Sequence, residues 1–201
     1  MNQAYAMALF ALTMSISPGP VNLITLSTGL NHGVRKAVGF VSGATIAFTL
    51  LLLFIGLGLQ AVADQMGILL DVLTVLGAAL IIYFGYKLAT SDGQLDITDH
   101  PVPGFWQGAA LQWFNPKAWG ACIAAVSIFN LENSKPDLYF FVALYCFICF
   151  FGIGSWAVFG SRIDKWLNTV RRRVAFNAVL GIILIALAVL LLGQKFVWGG
   201  A

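Results

Sequence analysis

The first formally charged side chain in the sequence is Arg35, and beyond Arg35 and Lys36 the chain runs uncharged again as far as Asp64. Runs of this kind decide the fold class before any motif is considered. A soluble domain needs polar side chains over its whole surface, and soluble chains are typically about 25% charged. Here 9% of the 201 residues are charged and 60% are hydrophobic, with a mean hydropathy of +0.89. Such a chain cannot clothe a globule in polar groups and must take lipid as its solvent. In lipid each backbone N–H and C=O has to be satisfied within the protein, which favours helices. Apolar runs of about 20 residues then read as membrane-spanning helices.

Six segments qualify, at about residues 4–28, 38–62, 67–89, 105–129, 138–160 and 174–196. The sequence therefore predicts an all-α integral membrane protein of six transmembrane helices, a single transmembrane domain over 1–201. The connections are too short to hold a soluble domain. The longest, "TSDGQLDITDHPVPG", divides the chain into halves of about 1–90 and 105–201 with three segments each. An odd number of crossings reverses the second half, so the halves are expected to form two inverted three-helix repeats. That is a frequent transporter plan, with discontinuous helices around a site near the bilayer midplane. The third segments echo one another, "GAALIIYFGYK" at 77–87 and "GIILIALAVLLLGQK" at 181–195.

Lys and Arg collect in cytoplasmic loops. Arg35 and Lys36 lie after segment one, Lys87 ends segment three, and Arg162, Lys165 and Arg171–Arg173 lie between segments five and six. Both termini are therefore expected outside. Trp106, Trp166 and Trp198 fall near expected interfaces, as aromatic belts do. The net charge of +3 is small, and nucleic acid is not an expected partner. The N-terminus lacks a basic region and a cleavage site, so no removable signal peptide is expected.

Two apolar segments are interrupted, at Ser17-Pro18-Gly19-Pro20 and at Asn115-Pro116-Lys117. Ser and Asn favour the N-cap, and Pro favours the first helical position. Each pair reads as a helix restart, at Pro18 and at Pro116. A restarted helix exposes free N–H groups and the positive end of a dipole, tolerated at that depth only against protein or a water-filled cavity. These two breaks are the expected substrate site. The backbone at Ser17, Pro18, Gly19 and Pro20, opened beside Asn115, Pro116 and Lys117, suits a carboxylate, and Asn22 and Asn115 offer oxygens to an ammonium. A lysine deep in a span costs about 2.5–3.5 kcal/mol on insertion scales, so Lys117 is expected to face a polar interior, as a carboxylate ligand, a gating charge or half of an ion pair with Asp71. Trp113 and Trp119 flank the second break and are candidate walls. The alternative for each proline is a kink that only fits its neighbours. Gly39 and Gly43 form a G-x-x-x-G that permits close helix contact, and Gly29 and Gly33 read as turn residues. The eight acidic residues lie in loops or near segment ends, which leaves the coupling group unread.

With Ser17-Pro18-Gly19-Pro20, the Gly29/Gly33/Arg35 turn, Gly39 with Gly43, and Asn115-Pro116-Lys117 in this order, the chain resembles the LysE/RhtB family of bacterial amino-acid exporters over essentially its whole length. The resemblance implies six spans in the bacterial cytoplasmic membrane and export of an amino acid from the cytoplasm by proton antiport, without a cofactor. "AALQWFNPK" and the entry "LATSD" resemble members that export small neutral amino acids, such as cysteine or its acetylated precursor. The wider superfamily also contains metal-ion exporters and membrane thiol–disulfide carriers. A carrier needs reactive cysteines at the breaks, and low thiol pKa needs nearby positive charge. Cys122, Cys146 and Cys149 lie instead in apolar runs, and His32 and His100 lie in loops. An enzyme and a metal site are accordingly not expected, and a homo-oligomer remains open.

Overall fold

A computed structural model describes residues 3–58, 66–91, 102–163, 166–167 and 169–198, without the side chains of 66–70 and 194–198. Among them every regular element is helical: α1 Gln3–Ile16, α2 Pro20–His32, α3 Val34–Gly56, α4 Met66–Ala89, α5 Phe105–Trp113, α6 Pro116–Ile128, a 3₁₀ turn Leu131–Asn133, α7 Lys135–Ile163 and α8 Val170–Trp198. Most of the long central connection, with His100, lies outside the described residues, as do Lys165 and the side chains of Lys195 and Trp198.

The long helices are apolar on their outer faces as well as their inner ones. On α8, Val179, Ile182, Val189 and Leu190 are each more than half exposed, and on α7 so are Phe147, Phe151 and Phe159. A soluble protein rarely leaves such contiguous patches bare; lipid explains them. Trp106 and Trp166 are about four-fifths exposed. Among the described residues four helices are able, by length and composition, to cross a membrane, or five if α1 and α2, bent by 62°, make one span. The six expected segments thus map onto eight helices. The segment expected over 105–129 is two pieces of 9 and 13 residues, each too short to cross alone.

The first connection is far tighter than the sequence implies. One residue, Gly33, separates α2 from α3; its φ of +81° needs glycine, and its N–H returns to the Gly29 carbonyl. Arg35 and Lys36 consequently belong to the first turn of α3. Gly29 is not a turn residue. It lies within α2, where a Cβ would collide with the Ala157 backbone of α7.

Glycines set the helix packing. Gly43 of α3 meets the Phe105 carbonyl of α5, and Gly108 of α5 meets the Phe40 carbonyl of α3. Gly160 of α7 meets Leu26 of α2 as Gly29 meets Ala157, and Gly85 of α4 faces Gly181 of α8. Small residues at such crossings let backbones approach, as membrane helices require without a hydrophobic drive between them. α4·α8, α3·α5 and α2·α7 are the most extensive helix pairs.

The two ends are tied differently. At one, the Asn31 and Asn177 amides each donate to the other's oxygen at 3.2 Å, and Asn177 also donates to the Ser91 hydroxyl at 2.9 Å. This links the end of α2, the start of α8 and the chain just after α4. At the other, Gln3 donates to the Phe129 carbonyl, bringing the N-terminal helix to the end of α6.

Candidate functional site

Pro18 and Pro20 have no N–H, so the last turn of α1 loses its helical donors. The freed carbonyls are met one by one. The Ser17 hydroxyl donates to Met14 at 2.9 Å, Asn22 Nδ2 donates to Ser15 at 2.9 Å and to Ser17 at 2.8 Å, and Trp156 Nε1 reaches Ile16 at 3.2 Å. Lys117 completes the set from α6: its Nζ lies 3.1 Å from the Ser17 carbonyl, 2.7 Å from Ser17 Oγ and 3.2 Å from the Pro18 carbonyl. The lysine therefore sits at the negative end of the α1 dipole, where a cation is favoured.

The first restart is displaced from the sequence expectation. Gly19, not Ser17, is the N-cap of α2, and Pro20, not Pro18, is its first residue. The second proline of the motif takes the helical position, and the residue before it is held extended, with φ −173° at Gly19. No side chain caps this N-terminus. Ser17 is left to close α1. At the second break Asn115 is the N-cap: its Oδ1 accepts from the Lys117 backbone N–H at 3.1 Å, and Pro116 follows at the first helical position. Gly77 of α4 lies against the Phe114 carbonyl, so the missing side chain seats α4 on this break.

Between the breaks is a cavity of about 40 Å³, lined among others by Gly19, Asn22, Asn115 and Lys117. One water needs roughly 10–15 Å³ by this kind of measure, so there is space for a few waters. Of the other expected residues, Ser17 and Pro18 touch the cavity's lysine, while Pro20 and Pro116 start the two helices. Trp113 and Trp119 are not walls. Trp119 is buried, its indole donates to the Trp113 carbonyl at 2.7 Å, and the two rings meet edge to face at 6.4 Å. They hold the shape of the second break from behind. The aromatic wall is Phe48 and Tyr145, stacked at 4.4 Å.

Sequence reasoning missed the α7 face and two polar groups. Tyr145 and Cys149 line the cavity one helical turn apart, a spacing hidden inside the apolar run "LYCFIC". Gln112 lines it from α5, is 7% exposed, and its amide bonds to no described residue. Ser15 Oγ faces Tyr145 and Cys149, and Thr45 Oγ1 lies behind Cys149, both buried and neither in a well-formed hydrogen bond. Among the described residues no Asp or Glu lines the cavity; Asp71 is exposed on α4.

The chain matches the family model of LysE type translocators over residues 12–195. It is 31% identical over 185 residues to a cysteine/O-acetylserine efflux protein of Escherichia coli O139:H28, covering 90% of this chain and 92% of that one. Efflux proteins of the same name from Escherichia coli K12 and Shigella flexneri serotype 5b are 30% identical over the same lengths. No solved structure matches significantly. Its helices are apolar enough to cross a membrane, and these matches establish the family: the chain belongs to the LysE type translocators.

Proposed function

We propose that the protein exports a small neutral amino acid or amino-acid derivative from the cytoplasm across a bacterial cytoplasmic membrane, in exchange for protons, and that the cavity between the breaks is its transport site. The observation that carries this reading is the polar lining of one cavity, with Ser15, Asn22, Gln112 and Asn115 around the single cation Lys117 and no carboxylate among the described lining residues. A zwitterion needs donors for one end and oxygens for the other. The Gln112 and Asn115 amides and the uncapped first turn of α2 supply donors; Asn22 Oδ1, Ser15 and the α1 carbonyls supply oxygens. The names of the relatives support a substrate such as cysteine or O-acetylserine. The present cavity holds only a few waters, so the helices must part to admit such a molecule.

We further infer six spans in two inverted repeats, α1–α4 and α5–α8, with both termini outside. In support, the pairs α3·α7 and α4·α8, equivalent helices of the two halves, pack on each other, an arrangement that a two-fold axis in the membrane plane allows. Arg35, Lys36 and Arg171–Arg173 flank the end tied by Asn31 and Asn177, which supports that end as cytoplasmic.

The test is counterflow in proteoliposomes against a panel of labelled amino acids and O-acetylserine. Exchange of small neutral members is expected, and Gln112→Ala should weaken it at least severalfold. A monodisperse, reconstituted protein that exchanges none of the panel would overturn the reading.

A further inference from the structure

The Lys117 ammonium has three N–H bonds to give and three oxygens to receive them: the Ser17 carbonyl, the Ser17 hydroxyl and the Pro18 carbonyl. All three are neutral, and none of the described residues lining the cavity is acidic. The broken end of α1 is thus a cage for one ammonium, built from backbone dipoles and filled by a side chain of the facing break. Gly19 keeps the approach open: a Cβ there would stand 3.2 Å from Lys117 Nζ. An amino acid carries the same group on its α-carbon. Both cations need these oxygens, and the cage holds one.

Resting on the transport reading above, we propose that Lys117 is the coupling site: the substrate's α-ammonium and the Lys117 ammonium occupy the Ser17–Pro18 cage in turn, so that each substrate bound from the cytoplasm displaces one proton from Lys117. The step balances simply. Lys117–NH₃⁺ leaves the cage, gives one proton to cytoplasmic water and remains as a neutral amine while the zwitterion is carried. When the substrate leaves on the other side, the amine takes a proton from external water and returns to the oxygens. One proton moves inward for each zwitterion outward, with one net charge. A lysine suits this role because its ammonium shifts pKa readily on burial, whereas a guanidinium stays charged. The other titratable groups facing Lys117 are Tyr145 and Cys149 on α7. At the cavity α1, α2, α3 and α5 present no acid or base, and Asp71 of α4 is outside the lining. This differs from a lysine that binds the substrate carboxylate, since here the ammonium is the substrate's rival and not its partner.

The two roles make crossed predictions. Lys117→Met empties the cage for good, and is expected to exchange labelled for unlabelled O-acetylserine without response to a pH gradient. Lys117→Arg fills it for good, and is expected to lose exchange at least tenfold while remaining folded. A carboxylate ligand predicts the reverse, an inactive Met variant and a partly active Arg variant, and that pattern would overturn the proposal. With the membrane potential clamped, one-for-one exchange accumulates substrate about tenfold per pH unit, so wild-type vesicles should approach that ratio and the Met variant should show none. If neither variant folds, a pH dye in wild-type vesicles decides: an imposed O-acetylserine gradient must drive one proton the opposite way, and its absence overturns coupling. Wild-type vesicles that exchange neither O-acetylserine nor cysteine would remove the transport reading itself, a separate outcome.

Discussion

Asn22 shows how one side chain serves structure and site together. Its amide nitrogen holds the Ser15 and Ser17 carbonyls, and its oxygen is left for the cavity. Removing the amide strands the Ser15 carbonyl and leaves the Ser17 carbonyl to Lys117 alone, so Asn22→Ala is expected to cost about 1–3 kcal/mol, read as a lower unfolding midpoint in detergent. Asn22→Asp should be worse, because a carboxylate would face carbonyl oxygens with no proton to give. The polar residues of the two motifs were legible from the sequence, since a proline or a lysine in an apolar run is conspicuous. Ser15, Gln112, Tyr145 and Cys149 were not. A serine inside α1 or a tyrosine inside α7 looks like any half-polar membrane residue until another helix leaves its hydroxyl facing a cavity. The roles of Trp113 and Trp119 were misread for a related reason: sequence adjacency to a break does not say on which side of it an indole lies.

For the helices the decisive residues are glycines, and their costs separate cleanly. Gly29, Gly43, Gly108 and Gly160 each face the backbone of another helix with no room for a Cβ. Overpacking typically costs about 1–3 kcal/mol and sometimes more, so Gly29→Leu or Gly108→Leu should lower expression and melting temperature sharply. Gly120 and Gly154 have nothing within 4 Å of a Cβ. There, replacing glycine by alanine inside a helix should stabilise by about 0.5–1 kcal/mol, with transport unchanged. The G-x-x-x-G of α3 was readable as a contact motif. Gly29 was not, because "GLNHG" resembles a turn equally well, and only the one-residue junction at Gly33 shows how late α2 ends. The displaced restart at Pro20 has the same lesson: two prolines two residues apart each qualify as a helix start, and local rules do not choose between them.

For the whole molecule, the all-helical class and its apolar helices were legible from charge and run length alone, because a bilayer leaves so few alternatives. How the halves interleave was not, since that depends on glycine crossings distributed over both. The proposed topology predicts that reporter fusions after Ser91 and after Asn168 are cytoplasmic and that one after Ser134 is external; a cytoplasmic signal at Ser134 would remove the six-span arrangement. Asn177→Ala, which takes the bonds from Asn31 and Ser91, is expected to loosen the end where α2, α4 and α8 meet, and limited proteolysis or hydrogen exchange there would report it. The cysteines are expected to do no redox work, so a variant with Cys122, Cys146 and Cys149 all replaced by Ala or Ser should insert and transport; loss of transport on replacing Cys122 and Cys146 alone, which lie outside the cavity lining, with normal insertion would favour a thiol carrier.

The central claim is that the cavity between the two breaks is where substrate passes, and Cys149 lies in its wall. With Cys122 and Cys146 replaced by Ala, Cys149 becomes the single thiol, and methyl methanethiosulfonate adds to it a group that fills much of the cavity. The measurement is the rate of that reaction in reconstituted vesicles, with and without O-acetylserine, alongside transport by the modified protein. The account predicts that substrate slows the reaction and that modification abolishes exchange. Modification at an unchanged rate in the presence of substrate, leaving exchange intact, would contradict it.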